Sequence, residues 1–166
     1  MRVIGFDPGL TRTGYAVVER HGSQLVAVAH GVVATPAGGA VAARLAVLRR
    51  DVDELLAAHA PDVAAVEQLF FNSNVKTAMA VGQASGVVLC CAADAGLEVS
   101  TYTPTDVKLS VVGYGGASKQ QVGAMVASLL GMGSPPRPAD AADACALAIC
   151  HLNRSGLQMA IRRAMA

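Results

Sequence analysis

A chain of 166 residues with 53% hydrophobic content is enough for one domain with a self-sufficient core, which removes the need for disulfides or a structural metal. Thirteen Lys and Arg stand against 12 Asp and Glu, so the net charge of +1 argues by itself neither for nor against a polyanionic partner. Cys90, Cys91, Cys145 and Cys150 lack C-x-x-C spacing and read as reduced core thiols, which fits a reducing cytosol and excludes a zinc or disulfide framework.

The chain begins at once with a strand, so no secretory signal is expected and the location implied is cytoplasmic. Val3 to Val18 reads V-I-G-F-D-P-G-L-T-R-T-G-Y-A-V-V, two apolar runs around a Pro-Gly turn, and predicts strand, turn, strand. Asp7 stands where the first strand stops. As a turn cap it has an ordinary explanation; at the edge of a core it also carries a desolvation cost that a cation or partner would offset. Gln24 to Thr35 follows the His21-Gly22-Ser23 turn and predicts a third strand of an antiparallel meander. His21, His30 and His59 have no ligand-like spacing and are expected at surfaces or edges.

Val41 to Ala60 has apolar residues at helical period, with Pro61 ending it. Val63 to Leu69 is a short apolar strand with Glu67 near its end, a second acid at a strand terminus. If the two strands are parallel neighbours, Asp7 and Glu67 lie side by side and need a cation; pairing with an Arg is the plainer alternative. Phe70 and Phe71 follow, and adjacent residues of an extended segment point to opposite faces, so one ring is exposed beside the acids, suited to stacking on a base. A turn that buries both rings is the alternative.

Asn74 to Ala95 predicts a long helix, apolar nearly all round, with Ala78, Gly82, Ser85 and Gly86 at three- to four-residue steps. The sheet would cover one side and a second subunit the other, unless the helix is wholly internal. Between Lys76 and Asp94 it is too short for the roughly 20 apolar residues of a membrane span. Leu97 to Thr103 is another strand, and Pro104 opens a helix through Lys108 to about Val112. Gly113 to Gly116 leads to Ser118 and Gln121, a capping box that starts a helix to about Leu130. The pattern G-x-x-x-x-G-K-[ST] is absent, so Lys119 is read as a cation delivered to phosphate on a flexible loop, or as part of a plain linker.

After the proline-rich Ser134 to Pro138, Ala139 to about Arg154 is the last helix. Asp140 and Asp143 share one face within its first turn. Acids there offset the helix dipole by about 0.3 to 1 kcal/mol, a sufficient reason for them; they are also set in a helix of Ala, Leu, Ile and Cys that must be largely buried. His151, two turns on, is expected to be structural. If this helix crosses the strand ends, Asp7, Glu67, Asp140 and Asp143 form an all-oxygen set suited to Mg²⁺ or Mn²⁺ rather than zinc. Four carboxylates suffice for two ions, the arrangement that hydrolyses phosphodiesters. With those four acids neutralised, 13 basic residues face 8 acidic ones, a balance of +5 that attracts phosphate.

At these residues the sequence resembles the RuvC family of Holliday-junction resolvases, in the RNase H-like (retroviral-integrase) superfamily. The matching blocks are Gly5 to Tyr15, Val66 to Phe70, Pro104 to Lys108, Ser118 to Val122 and Ala139 to Ala144, in register from Met1 to about Arg154. The resemblance implies an α/β, RNase H-like fold: a five-stranded mixed sheet, three antiparallel strands then two parallel, flanked by helices. It implies one nuclease domain over 1–156, with a short basic tail over 157–166. It further implies a homodimer that nicks two opposing strands of a four-way DNA junction and works with the RuvA-RuvB branch-migration complex. By the family pattern Asp7, Glu67, Asp140 and Asp143 hold metal, Lys108 and Lys119 assist at the phosphate, and Phe70 contacts bases, with Phe71 a second candidate.

Rival readings are weaker on particular grounds. A hexokinase- or actin-like phosphotransferase needs a second phosphate hairpin in a second domain, for which this length has no room. A non-catalytic junction-binding module has no use for four acids that repel DNA. A related nuclease of precursor ribosomal RNA matches the Asp-Pro-Gly turn and the Val66 to Phe70 block less well.

Overall fold

The computed structural model describes residues 1–68 and 75–164, with side chains described over 1–68 and 78–156. In chain order the elements are β1 (Arg2–Asp7), β2 (Arg12–His21), β3 (Gln24–Ala34), α1 (Val41–His59), β4 (Val63–Glu67), α2 (Val75–Asp94), β5 (Glu98–Tyr102), α3 (Pro104–Val112), α4 (Lys119–Leu129) and α5 (Ala139–Ala164). The sheet order is β3-β2-β1-β4-β5. β1, β2 and β3 pair antiparallel, whereas β4 pairs parallel with both β1 and β5. This is the mixed sheet expected from the sequence.

Alternation along β1 divides the core in two. Val3 faces one helical layer, while Ile4 and Phe6 face the other, and all three are fully buried. On the first face lie α3, α4 and the Ala144 to Leu152 stretch of α5; on the second lie α1 and α2, through Leu48, Val52, Ala84 and Val88. With helices on both faces, β1 and β4 read as unbroken apolar runs up to their final acids.

Local signals set the helix starts. Thr103 caps α3 and exchanges bonds with Asp106, and Pro104 occupies the first turn, where its missing N–H costs nothing. Ser118 and Gln121 form the same reciprocal pair at α4. α1 ends at Ala60, in the left-handed conformation at φ 42°, immediately before Pro61.

One expectation changes. α5 does not stop near Arg154 but runs to Ala164, so the residues read as a basic tail continue the helix for two further turns and more. The reason is compositional: past Ser155 and Gly156 come Gln158, Met159, Ala160, Ile161, Arg162 and Arg163, mostly strong helix formers, with no proline to stop them. α2, by contrast, is covered on one side only, which is against the wholly internal alternative. Ala84, Val88, Cys91 and Ala92 are buried against the sheet, but Met79 is 61% exposed and Gln83, Gly86 and Cys90 lie open on the opposite stripe.

Candidate active site

The parallel register of β1 and β4 brings the first two acids together. Phe6 pairs with Val66, and one step further along each strand stand Asp7 and Glu67. Glu67 in turn pairs with Tyr102, after which the chain turns into α3 and carries Lys108 to the same end of the sheet.

The other two acids arrive because two glycines let a helix lie directly on the strands. A Cβ on Gly5 would overlap the backbone oxygen of Ala144 and sit 3.0 Å from the Ala148 nitrogen; one on Gly14 would overlap the backbone oxygen of Asp140. Gly5 on β1 and Gly14 on β2 therefore let the first turns of α5 cross the sheet at backbone contact. Asp140 and Asp143 come down at the end of β1 in consequence.

Asp7, Glu67 and Asp143 line one cavity of about 140 Å³ with Lys108 and Lys119. Asp140 stands beside it, held by the Arg12 guanidinium, whose Nε donates to its Oδ2 at 2.9 Å. Lys119 Nζ donates to Asp143 Oδ2, also at 2.9 Å. Burial pushes the Asp7 carboxyl up to about 8, reinforced by repulsion from Glu67 and Asp143, a hydrogen bond to Glu67, and repulsion from Asp140. Burial also raises Glu67, although the bond from Asp7 opposes this. Burial and mutual repulsion thus set Asp7 and Glu67 against carrying charge together. Lys119 is raised, first by its bond to Asp143.

Among the described residues no three His, Cys, Asp or Glu side chains close on one point as metal ligands do. Two of the acids are instead turned to cationic side chains, Asp140 to Arg12 and Asp143 to Lys119. The donor set nevertheless fits a hard divalent cation, being wholly carboxylate oxygen, with four acids against three local cations, Arg12, Lys108 and Lys119, and an Asp7 carboxyl raised by burial and by its neighbours' repulsion.

Of the residues expected at the site, Asp7, Glu67, Asp143, Lys108 and Lys119 meet at one cavity and Asp140 flanks it. Phe70 and Phe71 lie outside the described residues. Sequence reasoning missed Arg12: its position five residues after Asp7, at the start of the second strand, was the available signal. It also missed that Lys119, Arg137 and Pro135 to Pro138 wall a larger cavity of about 740 Å³ next to the acids. His151 is structural as expected, with its Nδ1 2.8 Å from the Tyr102 hydroxyl and its pKa lowered by burial. Cys91, Cys145 and Cys150 are buried and their thiols raised by that burial, which disfavours the reactive thiolate; Cys90 is exposed.

Among the described residues no helix is long and apolar enough to cross a membrane.

Comparison with known proteins places this geometry. The family described as crossover junction endodeoxyribonuclease RuvC matches residues 3–151. A crossover junction endodeoxyribonuclease RuvC from Streptomyces coelicolor is 47% identical over all of this chain and 89% of its own length. The one from Thermobifida fusca is 50% identical over 99% of this chain and 91% of its own. The structure of Thermus thermophilus RuvC in complex with Holliday junction substrate superposes with a TM-score of 0.90 at 35% identity, covering 95% of this chain and 96% of that one. A sheet that gathers acids at its strand ends, a helix laid over them and similarity over the full length agree: the chain belongs to the RuvC family of crossover junction endodeoxyribonucleases, hydrolases of DNA phosphodiester bonds.

Proposed function

We propose that this endonuclease resolves Holliday junctions as a homodimer, each subunit cutting one of two opposing strands at the acidic end of its sheet. The observation that carries the reading is the convergence of Asp7, Glu67 and Asp143 with Lys108 and Lys119 on one cavity, beside Asp140. Such a cluster repels DNA unless neutralised, which gives a purely binding role no use for it. The family is metal-dependent, and Asp7, Glu67, Asp140 and Asp143 are the residues that would hold two ions, Mg²⁺ or Mn²⁺. Bound there, the ions supply an activated water and charge stabilisation of the leaving oxygen.

The chain's own residues do the rest. Lys108 and Lys119 take the phosphate, Lys119 exchanging its bond with Asp143 for one with the strand. These contacts set affinity but carry no sequence information. Phe70 holds a base unstacked beside Glu67, with Phe71 in a lesser role, and stacking of this kind is worth about 1 to 3 kcal/mol per base. Delivery of the junction falls to the RuvA-RuvB branch-migration complex, and work on chromosomal DNA puts the enzyme in the cytoplasm.

The test incubates the protein and Mg²⁺ or Mn²⁺ with a labelled four-way junction beside linear duplex of the same sequence. Symmetrical nicking of the junction alone is expected, and equal cutting of both substrates would overturn the reading. In the same assay Phe70→Ala is expected to bind the junction within a few-fold of wild type and cut it far more slowly. Normal cutting by both Phe70→Ala and Phe71→Ala would remove base stacking from the mechanism.

A further inference from the structure

Among the acids of the site, Asp140 is the one whose partner comes from an element with no other tie to the chemistry. Arg12 begins β2, is 48% exposed along its side chain, and reaches across 128 residues of sequence to an Asp140 that is 34% exposed. The separation between the two is fixed by backbone, not by side-chain preference. Gly14, two residues along β2 from Arg12, lies against the backbone oxygen of Asp140 itself. A long cation anchored that close to the first turn of α5 has the carboxylate constantly within reach. The Arg12 side chain makes no other hydrogen bond among the described residues.

We propose that Arg12 is a positioning residue that competes with the divalent cation for Asp140, holding the carboxylate until a metal displaces it and so setting the cation concentration at which the site fills. The proposal rests on Asp140 being a metal ligand. Arg and a divalent ion bind the same carboxylate oxygens, so occupancy by one is a cost to the other. A partly exposed pair of this kind is weak, which is what an exchangeable partner requires: strong enough to reduce repulsion within the acidic cluster, weak enough to yield. Lys119 does not duplicate the device, because its expected phosphate role removes it from Asp143 when substrate arrives, whereas Arg12 is displaced by the ion alone.

The experiment measures Mn²⁺ binding by calorimetry, without DNA, on wild type, Arg12→Gln, Arg12→Lys and Asp140→Asn, with melting of each metal-free protein as a check on folding. Arg12→Gln is expected to bind Mn²⁺ about two- to fivefold more tightly, equivalent to about 0.4 to 1 kcal/mol. Arg12→Lys, which keeps the charge but loses the planar guanidinium, should fall between the two. Unchanged or weaker Mn²⁺ binding in a folded Arg12→Gln, with Asp140→Asn impaired, would overturn the role of Arg12 and leave the metal site standing. Should Arg12→Gln not fold, Arg12→Lys decides, an affinity no higher than wild type overturning the role. Full Mn²⁺ affinity in Asp140→Asn would instead remove Asp140 from the ligand set, and the proposal with it.

Discussion

Asp7 is where the repulsion of the whole acidic centre collects. Its carboxyl is raised from 3.8 to about 8, first by burial and then by Glu67 and Asp143. An acid whose pKa rises on folding binds its proton more tightly in the folded chain. Its contribution to stability is therefore complete below about pH 4 and is lost progressively as pH rises through 8. Asp7→Asn removes both the titration and the charge. In the absence of divalent ions the variant should be more stable than wild type at pH 8.5 by about 1 to 3 kcal/mol, or roughly 2 to 4 °C in melting temperature per kcal/mol, with the difference closing towards pH 4. Mn²⁺ should then raise the melting temperature of wild type but hardly that of the variant. Junction cutting should be abolished and junction binding kept or tightened, since a charge that repels phosphate has gone. Equal melting of the two metal-free proteins at pH 8.5 would refute the account of Asp7 as a buried, repelled carboxylate, and retained cutting would remove it from catalysis.

At the scale of elements, the site depends on how closely α5 lies on β1 and β2. Gly5→Ala puts a Cβ into the backbone oxygen of Ala144, and backbone cannot yield as a flexible side chain does. Overpacking of this kind costs about 1 to 3 kcal/mol, so urea unfolding should show a lower midpoint, and Mn²⁺ affinity should drop because Asp140 and Asp143 are lifted from Asp7. Unchanged stability would mean that the helix can slide without penalty. The strand-end acids and the acidic pair at the α5 start were legible in the sequence because each interrupts an apolar pattern, and the capping box of α4 because its spacing is fixed by backbone geometry. The Arg12 to Asp140 bond was not, since an exposed Arg at the start of a strand breaks no pattern and its partner lies 128 positions away. Nor was the length of α5, because Ser155-Gly156 resembles a stop signal that the surrounding helix formers override. The meaning of Gly5 and Gly14 was hidden for a related reason: in a strand, a glycine reads as a weak point until the helix that needs the space is known.

At the scale of the whole molecule, α2 leaves one stripe uncovered by the rest of the described chain. The outward stripe of α2 runs through Met79, Gln83, Gly86 and Cys90, at three- to four-residue steps, while the opposite stripe is sealed against the sheet through Ala84, Val88 and Cys91. The proposed homodimer is expected to pack a second copy of the chain on this stripe, and that packing would set the distance between two cutting centres for the two opposing strands of one junction. Gly86 is the position at which to test this, because a Cβ there meets nothing within 4 Å in the single chain. Gly86→Glu should therefore cost the fold no more than the roughly 1 kcal/mol scale of helix-propensity changes, while placing an unpaired charge at the centre of the contact. Sedimentation is expected to show monomers at micromolar concentration, with paired nicking of the junction reduced at least about tenfold, a loss of about 1.4 kcal/mol or more in the barrier for the paired reaction. An undisturbed dimer would put the interface elsewhere, and monomers that still cut both strands in one encounter would separate dimerisation from resolution.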